Sequence, residues 1–185
     1  MKILDRNKPS HQLISVVLNH FVTCLVELFI IFAFFAWSIG KTPTQEIVAI
    51  ILMLLYISVI YIKANELAIY DNRPYSPTKP NYIKPVLWAG VIILITYILY
   101  AFFLFVWKSG DSIPVGTTIL GNFLFVLWTS PFMGIMGSAK GEIMWYSHIF
   151  FVVVPMLASV GGYVAGIKKF YFGEKINKFM YKKEK

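Results

Sequence analysis

The sequence predicts an all-α integral membrane protein with four transmembrane helices, both termini cytoplasmic, and an apolar re-entrant or interfacial segment on the outer side. Three observations predict it. First, 58% of the 185 residues are hydrophobic and only 14% are charged, with a mean hydropathy of +0.68, whereas soluble domains carry about 25% charged residues. Second, the apolar residues fall in blocks that approach or exceed the ~20 residues needed to cross a bilayer. Third, 14 of the 17 Lys and Arg residues lie on one side of a four-span map, the asymmetry that sets cytoplasmic orientation.

The first span is expected at 13–37. It exceeds the ~7–15-residue core of a signal peptide and no A-x-A site follows it, so a retained span is expected. The second, 47–66, has a short apolar core ending near Ile62, with Lys63 extending its stem toward the headgroups. The third, 86–107, carries Trp88 and Trp107 near its ends, and the last, 148–167, stops at Lys168-Lys169. Trp37, Trp145 and Tyr146 add candidate interfacial belt residues.

Residues 115–136 are apolar enough for a fifth span, but Gly121, Asn122 and Thr129-Ser130-Pro131 interrupt them. Charge decides against it. Four spans leave Lys41, Lys108 and Lys140 outside and 14 basic residues inside, whereas a fifth span collapses the ratio to 8:9 or 9:8. The segment is therefore expected to dip into the membrane or lie in its outer interface. A dip requires shielding by the other spans, because unpaired backbone is not tolerated against lipid.

The first span holds the principal candidate site. Ser15, Asn19, Thr23 and Glu27 recur every four residues, one slowly rotating stripe on a helix, with His20 on nearly the same face as Glu27. A carboxylate at mid-bilayer costs several kcal/mol and generally faces a partner or a wet cavity. The stripe fits a proton or cation site with His20 as relay; it also fits an interhelical hydrogen-bonding seam. In the last span Ala158, Gly162 and Gly166 form a small-xxx-small face for close packing, within the bundle or against another subunit. Pro155 makes a hinge or gating role the alternative there.

Two further segments are expected in the cytoplasm. The loop 68–85 contains Pro74, Pro77, Pro80 and Pro85 with Tyr70, Tyr75 and Tyr82, a three-residue proline period suiting polyproline II. It is expected to serve as a stiff connector, or else to dock a partner. Beside it, Glu66 has Lys63 and Arg73 nearby in sequence for an interfacial ion pair. The tail 168–185 carries Lys168, Lys169, Lys175, Lys178, Lys182, Lys183 and Lys185 against Glu174 and Glu184. Phe172, Ile176, Phe179 and Met180 are spaced as the apolar face of an amphipathic helix, which anchors on anionic headgroups.

Other classes are disfavoured. The net charge of +8 sits beside apolar spans, pointing to anionic lipid rather than nucleic acid. The single Cys24 permits no intramolecular disulfide, and His11, His20 and His148 lack metal-ligand spacing, so no metal or cofactor is expected. No P-loop, G-x-S-x-G or H-E-x-x-H motif occurs, and Glu27, Glu66 and His148 are expected at different depths, so an enzyme is not expected. The leading expectation is a small multi-pass cell-membrane subunit with a binding or scaffolding role in a transport, secretion or envelope assembly, with other membrane subunits or a homo-oligomer as partners. The alternative is an oligomeric channel or proton-coupled small transporter using the Glu27 stripe.

Overall fold

The computed structural model of the chain describes residues 8–38, 42–109, 114–133, 138–139, 142–143 and 145–168, with side chains for all of these except 35–38, 42–46, 138–139 and 142. Its helices are α1 (Pro9–Ser38), α2 (Thr42–Asp71), α3 (Ile83–Ser109), α4 (Val115–Trp128) and α5 (Trp145–Ile167), with a 3-10 turn at Ser130–Phe132. Strands β1 (Ser138–Ala139) and β2 (Glu142–Ile143) form a small antiparallel hairpin before α5. Four helices are long and apolar enough to cross a membrane: Pro9–Phe34, Ile47–Asp71, Ile83–Ser109 and Trp145–Ile167. The observed helices exceed the expected spans at their ends.

The sequence explains those ends. Pro9 suits a first helical position because its missing N–H costs no helix bond there, and Lys8 accepts from the His11 and Gln12 N–H groups. α2 stops just before Asn72-Arg73-Pro74, where the proline disfavours helical geometry in its predecessor. Asn81 opens α3: its Oδ1 accepts from Ile83 N at 2.9 Å, and its carbonyl accepts from Lys84 N at 3.1 Å. α4 ends at Trp128 because Pro131, lacking an N–H, cannot continue the ladder.

The start of α1, end of α2, start of α3 and end of α5 meet at one end of the bundle, tied by side chains described below. α2 and α5 pack most closely. A Cβ on Gly162 would overlap the Tyr61 backbone carbonyl, and one on Gly166 would fall 2.6 Å from both the Asn65 carbonyl and the Ala68 side chain. Only glycine admits that approach. The Ala158, Gly162 and Gly166 face is thus filled within the bundle. Pro155 is buried inside α5, which runs unbroken past it.

Outward faces are apolar as well: Leu18, Val22, Phe29, Ile51, Leu54, Ile62, Leu94, Ile98 and Leu157 are exposed. Helices apolar all round suit lipid surroundings. Trp107 and Trp145 project from the bundle, as belt residues do, but Trp88 does not. It is buried, its ring edge-to-face with Tyr163 at 5.5 Å between centroids. Its expected role as a belt residue is corrected: position near a helix end did not say which face it occupied.

Residues 70–76 also differ from the polyproline expectation. The helices consume both ends of 68–85, and hydrogen bonds from Arg73 N to Tyr70 O and from Ser76 N to Arg73 O fold the connection into turns. A polyproline II helix has no such internal bonds. Thr78 is buried beneath the turn while Tyr75 is 98% exposed. The tail residues Lys169, Lys175, Lys178, Lys182 and Lys183 lie outside the described residues, and Lys168 is exposed at the end of α5.

Candidate functional site

α4 is 14 residues long, about 21 Å at 1.5 Å per residue, and the break that follows it is packed inside the bundle. Trp128, Thr129, Ser130, Pro131 and Phe132 are all buried. Trp128 Nε1 donates to Thr96 Oγ1 at 3.0 Å, Ser130 Oγ donates to the Cys24 carbonyl at 2.7 Å, and Cys24 Sγ donates to the Trp128 carbonyl at 3.2 Å. Cys24 is the sixteenth of the 30 residues of α1 and Thr96 the fourteenth of the 27 residues of α3. The break therefore sits at half height of both helices.

Two of its carbonyls are engaged from within. Phe125 O accepts from Thr129 N and from Thr129 Oγ1, at 3.0 and 2.6 Å, and Trp128 O takes the Cys24 thiol. Aromatic packing fixes the rest: His20 lies 4.4 Å from Trp128 between ring centroids, and Phe132 bridges Tyr56 and Phe151 at 5.5 and 5.3 Å.

His20 bonds on both ring nitrogens, Nδ1 with the Tyr56 hydroxyl at 2.9 Å and Nε2 with Cys24 Sγ at 3.4 Å. The Cys24 S–H is spent on the Trp128 carbonyl, so Nε2 must be the donor to sulfur. Nδ1 is then the acceptor and Tyr56 the donor. One run, Tyr56 to His20 to Cys24 to Trp128, thus fixes the tautomer and clamps α1 to α2 and to the break.

One turn beyond Cys24 is Glu27. Its residue surface is 0% exposed, and neither carboxyl oxygen has a hydrogen-bond partner among the described residues. The expected stripe only partly joins it. Thr23 is buried and donates to Asn19 O at 2.8 Å, whereas Ser15 and Asn19 are half-buried. The buried face of α1 follows Gln12, Val16, His20, Cys24, Glu27 and Ile31. Among the described residues no group of three His, Cys, Asp or Glu side chains is arranged to hold a metal.

Sequence reasoning missed the second buried acid, Asp71. Its Oδ1 accepts from Gln12 Nε2 at 2.8 Å and Thr78 Oγ1 at 2.5 Å. Its Oδ2 accepts from Lys84 Nζ at 2.6 Å and Tyr163 OH at 2.7 Å. These donors come from α1, the loop, α3 and α5, so one carboxylate ties together that end of all four long helices. Asn72 Nδ2 donates to Ile167 O at 3.2 Å beside it. Asp71 lies 15 residues beyond Tyr56 along α2, about 22 Å, outside the ~15 Å half-thickness of a hydrocarbon core centred on Tyr56. The available signal was an acid at a span end followed 13 residues later by a lysine at the next span's start. Glu66 pairs with Lys63 at 3.2 Å, while Arg73 lies over the Tyr70 ring.

The chain matches no protein family, no curated protein and no solved structure. What fold and site define is a class: a helical protein with four helices fit to cross a membrane. Any function must therefore be argued from the site itself.

Proposed function

We propose that this chain is a small ion-coupled transporter or channel subunit of the cell membrane, working through Glu27. In this reading both chain ends and the Asp71 loop face the cytoplasm, following the positive-inside bias. α4 re-enters from the outer side, bringing its broken end to mid-bilayer. The observation carrying the proposal is the fully buried Glu27 carboxyl, without a hydrogen-bond partner among the described residues, one turn along α1 from the cysteine that caps that break. Intramembrane carboxyls are costly and mark ion pathways, and interrupted helices at the midplane recur in transporter sites.

The scaffolding role gains less support. One of its arguments was the small-residue face of α5, and Gly162 and Gly166 are occupied by α2. What favours it is the loop, where Tyr75 and Tyr82 are exposed for a cytoplasmic partner. A homo-oligomer or another membrane subunit is expected in either case, because four spans with a re-entrant segment provide little wall for a path.

The test is flux into proteoliposomes under imposed proton, sodium and potassium gradients, comparing wild type with Glu27→Gln. Flux that falls at least about tenfold, roughly 1.4 kcal/mol in barrier, is expected for the variant. Equal flux in both forms, or none in either, overturns the proposal. Two-sided lysine labelling checks the orientation: Lys8 and Lys168 should report the cytoplasmic side and Lys108 the opposite one.

A further inference from the structure

We propose that the ligand of Glu27 is a proton and not a metal cation. This rests on reading Glu27 as the working group of the transport site, and it names the ion.

The argument begins with what surrounds the carboxyl. Glu27 is the one Asp, Glu, Lys or Arg in residues 12–38, 47–62, 85–107, 114–133 and 145–167. Among the described residues the middle of the bundle therefore offers it no Lys or Arg and no second carboxylate. The titratable groups nearest it along this face are Cys24 and His20 on α1 and Tyr56 on α2, all three joined to one another and to the break. The 3-10 turn contributes only the neutral Ser130 hydroxyl, committed as a donor to Cys24 O, and the preceding Thr129 hydroxyl is committed to Phe125 O. α3 and α4 bring no charged group to this level. α5 brings none either, its His148 lying near the opposite end from Tyr163, among Tyr97, Tyr100 and Phe151.

A dehydrated metal ion needs more than one carboxyl. Calcium takes about six to eight oxygens, and ion-coupled transporters hold sodium with carbonyls released by a broken helix. Here two carbonyls at the break are already engaged, Trp128 O by the Cys24 thiol and Phe125 O by both Thr129 donors, and among the described residues no group of three His, Cys, Asp or Glu side chains could complete a metal cage. A proton requires only one carboxylate lone pair. It also removes the cost of holding an unpaired anion in a low-dielectric interior, where no donor among the described residues reaches either oxygen. The exchange is a proton transfer: an O–H bond of hydronium breaks as the O–H bond of the Glu27 acid forms, and on release that bond breaks and the proton returns to water as hydronium.

Infrared difference spectroscopy of the full chain in lipid tests this directly, because a protonated carboxyl C=O absorbs apart from the amide and carboxylate bands. A carboxyl band is expected that disappears in Glu27→Gln. It should fall reversibly by about tenfold per pH unit on the alkaline side of its midpoint. Replacing choline by sodium, potassium or calcium at fixed pH should leave it unchanged. A band that shrinks with one of these metals, a band insensitive to pH, or no Glu27 band at all overturns the proposal. The expected behaviour without any flux in proteoliposomes upholds the proton site and sinks the transport reading, so the two fail separately.

Discussion

Asp71→Asn is the perturbation that most sharply tests how the bundle is held together. The substitution keeps size and shape but removes the charge and turns one acceptor into a donor. The retained oxygen still serves Gln12 and Thr78, and the Tyr163 hydroxyl can rotate to accept. Lys84 has no such recourse. Its side chain is only 14% exposed, and without Asp71 the remaining acceptor that the geometry offers is the Lys79 carbonyl at 3.0 Å. Removing one partner of a buried ion pair costs about 3–5 kcal/mol. The position near the headgroups and the partial exposure of Lys84 soften this, so a loss of about 2–3 kcal/mol is expected, in line with the ~1.5–3 kcal/mol of a hydrogen bond to a charged group. The assay is reversible unfolding in mixed micelles of wild type, Asp71→Asn, Lys84→Met and the double variant. The double variant should be more stable than the sum of the singles predicts, with a coupling of at least about 1 kcal/mol, because no ammonium is stranded. Additive losses, or a single-variant loss below about 0.5 kcal/mol, would refute the account of Asp71 as the tie between four helices.

Other expectations follow from the same packing. Gly162→Ala should destabilise by about 1–3 kcal/mol by overpacking against the Tyr61 carbonyl, whereas Gly161→Ala, whose added methyl meets nothing nearer than 3.9 Å, should be neutral or gain up to about 1 kcal/mol of helix propensity; paired melts in detergent check the contrast. Trp128→Phe should cost about 1 kcal/mol through the lost Thr96 bond, and Thr96→Val should be partly compensated in the presence of Trp128→Phe, as read in a double-variant unfolding cycle. Cys24, the single cysteine and fully buried, should resist membrane-permeant maleimide in the folded protein. Ser130→Ala should speed that labelling severalfold by loosening the break from α1, and equal rates would argue that the break is held by something else.

Some of this was legible in the sequence, and particular residues show why. The four apolar stretches follow from local composition alone, since crossing a hydrocarbon layer is a requirement on length and polarity that no distant contact can relax. The lone acid at Glu27 stands out for the same reason. Trp88 shows the limit. In a helix with apolar residues on every face, periodicity carries little information about which face turns inward, so a tryptophan expected at the headgroups lies buried on Tyr163. The loop shows a different limit: turn bonds from Tyr70 to Ser76 fold its first half, which the proline period alone does not reveal.

The sequence by itself determined four apolar helices, a charge-biased map and one isolated acid at the middle of the first helix. Tertiary structure decided what those features face. Asp71 collects donors from residues 12, 78, 84 and 163, and the α4 break is capped by a cysteine 104 residues away. A local window carries no trace of the pairings with Gln12, Tyr163 and Cys24, because their worth depends on removing both partners from water at the same point in space. Among the described residues Asp71 has four donors and Glu27 none, a difference between two similar side chains that only packing creates.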